Sequence, residues 1–341
     1  MTDIWNRLKG EEKPILLYGT GNGADKILDE LKRYDVKISG VFASSGFVRD
    51  RVFRGFKVMS LEEAEEIFGD FIALFSFGSN RPEVLDNIKR IMETHTLLAP
   101  EVPVCGGEVF NLDFAKRNSE KLYRVYNLLA DEQSKKVFKE TTLFKLDGDI
   151  SHLFSCETHE NEAFDILNLK ENDSFLDLGA YNGDTVLDFI NRVKNYGSIT
   201  AVEPDKKSFS KLLKNTDGYN IEAINAAISG NVGSIPFSFK SSRGSVAGGD
   251  DFTDAVSFDY LCKNKTFDYI KFDVEGKELD AIIGGEKTIK KDKPKMLISA
   301  YHKSDDYFAL PLKVLEFNPS YQIYMRHYPY VPAWDTNFYF V

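Results

Sequence analysis

Short apolar runs alternate along this chain with segments whose apolar positions recur every three or four residues, and the alternation repeats over most of its length. Ile15 to Tyr18 has the pattern of a buried strand. Gly19-Thr20-Gly21-Asn22-Gly23 punctuates it, and Ile27, Leu28 and Leu31 follow at helical spacing. Val36 to Ala43 predicts a second strand. Val58 to Ser60 leads into an acidic helix over Leu61 to Phe68, and Phe71 to Phe77 predicts another buried strand. Ser79-Asn80-Arg81-Pro82 then opens a helix with a cap candidate and an early proline. Strands and helices in this order build parallel sheets, so residues 1–110 are expected to form a small Rossmann-like α/β domain.

Residues 111–160 read as a helical connector. Asn111 to Leu146 contains no glycine or proline, and Leu122, Val125, Tyr126, Leu129, Val137 and Phe138 recur at roughly helical spacing. Over residues 161–341 seven strand candidates follow: Ser174 to Leu178, Ile199 to Glu203, Ile221 to Ile228, Phe267 to Val274, Lys295 to Tyr301, Tyr321 to His327 and Asn337 to Val341. The first five alternate with helices. Only the loop around Pro329 and Pro332 separates the last two, which suits a closing antiparallel pair. The expected fold class is α/β: a seven-stranded Rossmann-like C-terminal sheet preceded by a smaller parallel domain.

Composition narrows the functions. A chain of 341 residues, 43% hydrophobic, can supply cores for two domains. Lys plus Arg number 43 against 53 Asp plus Glu, a net charge of -10, so the cationic footprint of a nucleic-acid binder is missing. Cys105, Cys156 and Cys262 lie far apart with no zinc-like spacing, which suits reduced packing thiols in a cytosol. Met1 to Pro14 has no apolar leader core, and the apolar runs are shorter than the ~18 residues that span a bilayer. A cytoplasmic protein without stable membrane insertion is expected.

Candidate chemistry concentrates in the second half. Phe175-Leu176-Asp177-Leu178-Gly179-Ala180-Tyr181-Asn182-Gly183-Asp184-Thr185 places an acid near a strand end, then two glycines around a tight turn into a helix. Small backbone there lets a ligand lie against the strand edge. The next strand ends in Glu203-Pro204-Asp205, and Glu203 follows Gly183 by 20 positions, the offset at which a carboxylate accepts ribose hydroxyls. The bland reading is a generic α/β turn with a solvated Glu. Asn225-Ala226-Ala227 ends the third strand, either at an adenine edge or as a plain turn. Asp273 and Glu275 end the fourth strand, where alternation puts them on one side if the strand persists. Such a pair suits either proton abstraction or a divalent cation. His302 follows the fifth strand and is expected as a neutral base oriented by Asp305 or Asp306, the alternative being a surface histidine.

These residues resemble a known family. FLDLGAYNGDTV, AVEPD, NAAIS at Asn225 to Ser229 and YIKFDVEGKELDAIIGGEKTI at Tyr269 to Ile289 are similar to the FkbM family of S-adenosylmethionine-dependent methyltransferases. The resemblance covers Glu162 to Val341. It implies a seven-stranded methyltransferase sheet, S-adenosylmethionine as cofactor, and O-methylation of sugars or other small hydroxylated molecules, here expected on a sugar or nucleotide-sugar hydroxyl in cell-surface glycan synthesis. Many family members carry a Glu two residues before the histidine after the fifth strand. Ala300 holds that position here, so that residue's role does not carry over. Arg326-His327-Tyr328, together with Tyr301-His302-Lys303, resembles a subgroup of the family, which implies acceptor-site roles for Lys303, Arg326 and His327. Arg243, in the loop Lys240 to Ser245, is a further acceptor candidate.

The first glycine turn invites a dinucleotide reading, but Ala43 stands where a ribose-binding carboxylate would be, 20 positions after Gly23. An NAD-dependent sugar oxidoreductase is therefore the weaker enzyme reading, and a non-catalytic nucleotide-binding scaffold is the non-enzymatic one. The front domain is left between an anion or nucleotide-sugar site and a structural or dimerising role, so a homo-oligomer belongs among the expectations.

Overall fold

The computed structural model describes residues 2–48, 51–159, 161–238, 246–247 and 251–341. At the front, α1 (Ile4–Lys9) precedes β1 (Ile15–Tyr18), α2 (Asn22–Arg33), β2 (Gly40–Phe42), β3 (Val52–Phe53), β4 (Phe56–Met59), α3 (Leu61–Phe68), β5 (Ile72–Phe75), α4 (Pro82–Thr94) and β6 (Thr96–Leu98). The strands form one sheet in the order β3-β4-β2-β1-β5-β6, parallel except for the short β3. β1 is central, with all four residues buried. Its unbroken apolar run follows from burial on both faces.

Helices α5 (Leu112–Arg117), α6 (Ser119–Leu128), α7 (Glu132–Asp147), α8 (Ser151–Cys156) and α9 (Glu162–Leu167) come next. Asp131 caps α7 by accepting from the Ser134 amide, and Gly148 ends it in the left-handed region at φ 70°. Along α7, Val137 and Phe138 enter the C-terminal core while Phe144 enters a front core. The helix is therefore a beam shared by both sheets.

The C-terminal unit runs β7 (Phe175–Leu178), α10 (Asp184–Arg192), β8 (Ile199–Val202), α11 (Lys206–Asn215), β9 (Ile221–Ile224), β10 (Ala227–Ile228), β11 (Gly233–Ser238), β12 (Val246–Ala247), β13 (Asp251–Val256), α12 (Phe258–Leu261), β14 (Tyr269–Phe272), α13 (Glu278–Ile283), α14 (Glu286–Lys291), β15 (Lys295–Ser299), α15 (Asp306–Phe317), β16 (Ile323–His327) and β17 (Thr336–Phe340). Seven strands form the expected α/β sheet in the order β16-β17-β15-β14-β7-β8-β9, with β17 antiparallel to both neighbours. Strand order reverses between β7 and β14, so their carboxyl ends border the crevice where open α/β sheets take ligands.

The predicted third strand, Ile221 to Ile228, is divided in two. Asn225 donates through Nδ2 to the carbonyls of Glu203 (2.8 Å) and Pro204 (3.1 Å), and the chain bends there. β10 then joins a separate four-stranded sheet, β10-β13-β11-β12. Sequence reasoning missed this sheet because Pro236 sits within β11 and reads as a strand breaker.

Candidate functional site

A cavity of about 770 Å³ opens at the carboxyl ends of β7, β8, β14 and β15. Gly179 lies at its base with φ 88°, and a Cβ there would stand 1.8 Å from the carbonyl oxygen of Asp273. Glycine is thus required first by the close approach of the β7 and β14 ends, and only secondarily by a ligand. Gly183 caps α10 at φ 86° and faces Leu212 and Thr216 of the neighbouring α11 segment rather than the cavity. Between the glycines, Tyr181 is held left-handed at φ 47° and, with Asp184 and Thr185, lines the wall.

Glu203 reaches the same wall from the end of β8. Its Oε2 accepts from the Tyr181 amide and Oε1 from the Asp205 amide, both at 2.8 Å. Burial pushes its pKa up to about 7, against the pull of those two amides. The carboxylate is fixed in direction, and its remaining lone pairs suit ribose hydroxyls. Pro204 follows it along the wall.

Across the crevice, Asp273, Glu275 and His302 converge on the cavity. The strand does not persist to Glu275: β14 ends at Phe272, and Glu275 turns left-handed at φ 50°. Both carboxylates nevertheless face His302, whose Nε2 is 3.5 Å from Asp273 Oδ1 and 3.6 Å from Glu275 Oε2. His302 Nδ1 lies 3.0 Å from Glu278 Oε1, a close charge contact rather than a well-aligned hydrogen bond. Burial alone would lower the imidazole's pKa, but Glu278, helped by Asp273 and Glu275, raises it to about 10. The expected neutral base is therefore corrected to an imidazolium. Its partner is Glu278 on α13, and Asp306 instead accepts from the Lys303 amide at 2.7 Å.

The two cavity carboxylates differ. Burial pushes Glu275 up to about 7, with His302 opposing and Asp273 reinforcing the rise. Burial acts on Asp273 in the same sense, but Lys271, His302 and the Tyr301 hydroxyl, which donates at 3.0 Å, bring it below the ordinary range. Lys271 lies 3.5 Å from Asp273 and 3.6 Å from the fully buried Asp177. Asp177 is pushed by burial to about 7, with Lys271 holding it back. Neither Asp177 oxygen has a hydrogen-bond partner among the described residues. It sits behind Lys271 and does not line the cavity. Sequence reading missed Lys271 although the clue was present: it is two residues before Asp273, on the same strand face. Glu278 had a weaker signal, being a turn beyond Glu275 in a helix that reads as surface.

Several candidates lie elsewhere. Arg326 is not among the cavity's lining residues; itself buried, it joins a half-buried network, donating to Asp131 (2.7 Å), Glu162 (2.6 Å) and Ser134 (2.8 Å). His327 is buried beside Thr336, 2.9 Å from its hydroxyl, and desolvation lowers its pKa to about 3. Neither is an acceptor contact here, because helix α7 and the segment before α9 cover this edge of the sheet; the adjacent Tyr328 lines the cavity instead. Ala180, Asn182, Asn225 and Ala226 also stay behind the wall, where Asn182 accepts from the Asp184 amide at 3.2 Å. Ala227 and Ile228, both largely buried, line the cavity instead. Lys303 packs beside Gly276 and does not line the cavity. Arg243 lies outside the described residues.

In the front domain the glycine turn is filled by its own chain. A Cβ on Gly23 would be 2.3 Å from the Ser76 carbonyl oxygen, and one on Gly19 would meet Ser76 and Phe77. Packing accounts for Gly19 and Gly23, while Gly21 between them has nothing within 4 Å of a Cβ. The same domain nevertheless reaches the cavity, which Asn80 and Val104 help to line.

Asp273, Glu278 and His302 offer potential ligand atoms within 4.8 Å of one another. The donor set fits a metal poorly, because Asp273 and Glu278 face opposite nitrogens of one ring. A proton on each nitrogen satisfies both contacts, and no step below uses a cation. Among the described residues, no helix is long and apolar enough to cross a membrane.

Residues 177–321 match the family profile described as Methyltransferase FkbM domain. Among solved structures, the chain is similar to methyltransferase FkbM from Methylobacillus flagellatus KT at 21% identity. That alignment covers 99% of this chain and 92% of the other, with a TM-score of 0.74. Smaller overlaps occur with precorrin-6y C5,15-methyltransferase from Geobacter metallireducens GS-15 (13% identity, 52% of this chain and 84% of that one, TM-score 0.34). Aeropyrum pernix fibrillarin in complex with natively bound S-adenosyl-L-methionine overlaps similarly (17%, 50% and 67%, TM-score 0.32). No curated protein matches the sequence.

Proposed function

We propose that this chain, whose residues 177–321 are an FkbM methyltransferase domain, moves a methyl group from S-adenosylmethionine to a hydroxyl of a sugar or related polyol in glycan synthesis. The observation that carries the reading is convergence: the Gly179 turn, Glu203 and the Asp273, Glu275 and His302 group border one cavity from four strand ends. Its volume of about 770 Å³ falls in the ~300–1,000 Å³ range of small-molecule sites. The buried carboxylate of Glu203, beside a left-handed turn and the start of α10, fits the hydroxyl-rich nucleoside of such a cofactor.

When bound, the cofactor supplies an electrophilic methyl group on a sulfonium. An acceptor hydroxyl taking that methyl would form its carbon–oxygen bond as the carbon–sulfur bond broke, the bonding pair staying on sulfur, and would have to give up its proton. Glu275 takes that proton, since its affinity lies near neutrality while Asp273 is held ionised by Lys271, His302 and Tyr301. The His302 imidazolium holds both carboxylates toward the reacting oxygen. Alignment of acceptor and donor supplies the rest of the rate.

The walls favour an uncharged acceptor. Among the described residues, the lining cations already have carboxylate partners: Lys271 with Asp177 and Asp273, Lys277 with Asp280, and Arg192 with Asp188. Tyr328, Tyr330 and Trp334 offer ring faces, and Asn337 and Asp335 offer polar groups. A hydroxylated ring suits that lining better than the diphosphate of a nucleotide sugar. The test is incubation with methyl-labelled S-adenosylmethionine and a small-sugar extract from the protein's source. Label in an O-methyl product supports the reading, and absence of any transferred label sinks it.

A further inference from the structure

We propose that the front domain is a working wall of the acceptor site, with Val104 and Asn80 deciding which acceptors fit. This rests on the reading of the cavity as a methyl-transfer site.

Val104 is delivered by an irregular segment, residues 99–105, whose backbone polar groups need partners when packed between two units. The partners are there. The Ala99 amide donates to the Gly148 carbonyl at 2.8 Å, and Glu101 forms a buried ion pair with Lys145 of α7. Lys145 also lies 4.6 Å from the ring centre of Tyr307 on α15. Lys26 of α2 donates through Nζ to the carbonyls of Pro103 (3.0 Å) and Val104 (2.6 Å). Cys105 closes the strap on the catalytic side: its amide donates to the His302 carbonyl at 3.1 Å, and its thiol lies 3.8 Å from Glu275 Oε2. A merely connecting loop has no need of a buried ion pair and a lysine clamp, and this one ends against the proposed proton acceptor.

Asn80 comes from a second contact between the units. Ser79 and Val331 exchange backbone hydrogen bonds at 2.9 and 3.0 Å. Gly78 lets the Trp334 ring pack on the chain, since a Cβ there would fall 2.3 Å from the ring. Trp334 and Tyr330, with ring centres 5.8 Å apart, line the cavity together with Asn80. Val104 thus lines the cavity next to Cys105 and Glu275, and Asn80 lines it together with the Tyr330 and Trp334 rings. There they limit volume and offer a hydrogen bond to an uncharged, hydroxylated acceptor.

The test uses the full-length protein with Val104→Phe, Val104→Ala and Asn80→Ala. Calorimetry with S-adenosylhomocysteine reports that each variant is folded with its cofactor site intact. Label transfer from methyl-labelled S-adenosylmethionine into the small-sugar extract then gives product spectrum and acceptor KM. Changing the volume of an apolar wall by one or a few carbon atoms is worth about 10- to 200-fold in discrimination. Val104→Phe should raise acceptor KM or suppress the main product by at least about tenfold. Val104→Ala should admit bulkier acceptors, and Asn80→Ala should raise acceptor KM with cofactor KM unchanged. An unaltered product spectrum and acceptor KM in all three variants overturns the inference while leaving the methyl-transfer reading in place. No transfer by the unsubstituted protein removes that reading, and the inference falls with it.

Discussion

His302 Nδ1 stands 3.0 Å from Glu278 Oε1 with both side chains closed off from solvent, so the imidazole enters the site as a cation. Its pKa of about 10 exceeds the ~6.5 of an unfolded chain, so the native state binds this proton more tightly. The resulting stability is whole below about pH 6.5, declines as pH rises, and is lost above about pH 10. Over that window stability should fall by up to ~1.4 kcal/mol per pH unit. Glu278→Gln should flatten the slope and cost about 3 kcal/mol at pH 7, because it leaves a buried charge short of its partner. Urea titrations across pH 6 to 10 measure both; equal slopes in the two proteins would reject the pairing.

Glu275→Gln should reduce turnover by about 10²- to 10⁴-fold, the usual worth of a general base, with S-adenosylhomocysteine affinity nearly unchanged. The parent enzyme's rate should rise with pH through about 7, where Glu275 ionises. A variant that keeps both the rate and the rising limb would move proton removal to Asp273 or to water.

Cofactor affinity should follow Glu203. Its carboxyl is pushed up to about 7 by burial, and only the ionised form accepts both ribose hydroxyls. Binding should therefore strengthen as pH is raised from 6 to 8. Glu203→Ala should weaken it at least about tenfold, since charge-assisted hydrogen bonds contribute about 1.5 to 3 kcal/mol each. Calorimetry with S-adenosylmethionine at both pH values measures the two effects, and an affinity indifferent to pH and to the substitution takes Glu203 out of the site.

Two glycines should respond oppositely to alanine. Gly179→Ala meets the Asp273 carbonyl and a positive φ, so it should cost at least the ~1–3 kcal/mol of backbone strain and lose cofactor binding. Gly21 has nothing within 4 Å of a Cβ and a negative φ of -95°, so its alanine variant should stay within about 1 kcal/mol of the parent. Thermal unfolding of the pair checks the contrast.

Arg326→Met should act on stability rather than on acceptor use. Its partners Asp131 and Glu162 are about a third exposed, and screening brings the expected loss to roughly 2 kcal/mol. Acceptor KM should not change once the variant is folded. A selective rise in that KM, at unchanged stability, would return Arg326 to the acceptor site.

The seven strand positions, the switch-point turn from Asp177 to Thr185 and the carboxylate at Glu203 were legible in the sequence because they depend on local order. Buried strands need apolar runs, tight turns need glycine, and the offset between consecutive strand ends is counted along the chain. The cavity positions of Asp273, Glu275 and His302 could be read for the same reason, since all three follow strands of one parallel sheet. Their protonation could not. It depends on Glu278 folding back from α13 and on Lys271 being shared by Asp177 and Asp273, and the low-dielectric interior makes such charge contacts strong only after folding. Arg326 and His327 likewise read as rim residues until α7 and the segment before α9 covered their strand. Chain order could not reveal that the front domain supplies Val104 and Asn80 to a cavity built mainly from residues beyond 160. Sequence fixes which strand ends can carry chemistry; the packing of distant elements determines which charges meet there and which walls enclose them.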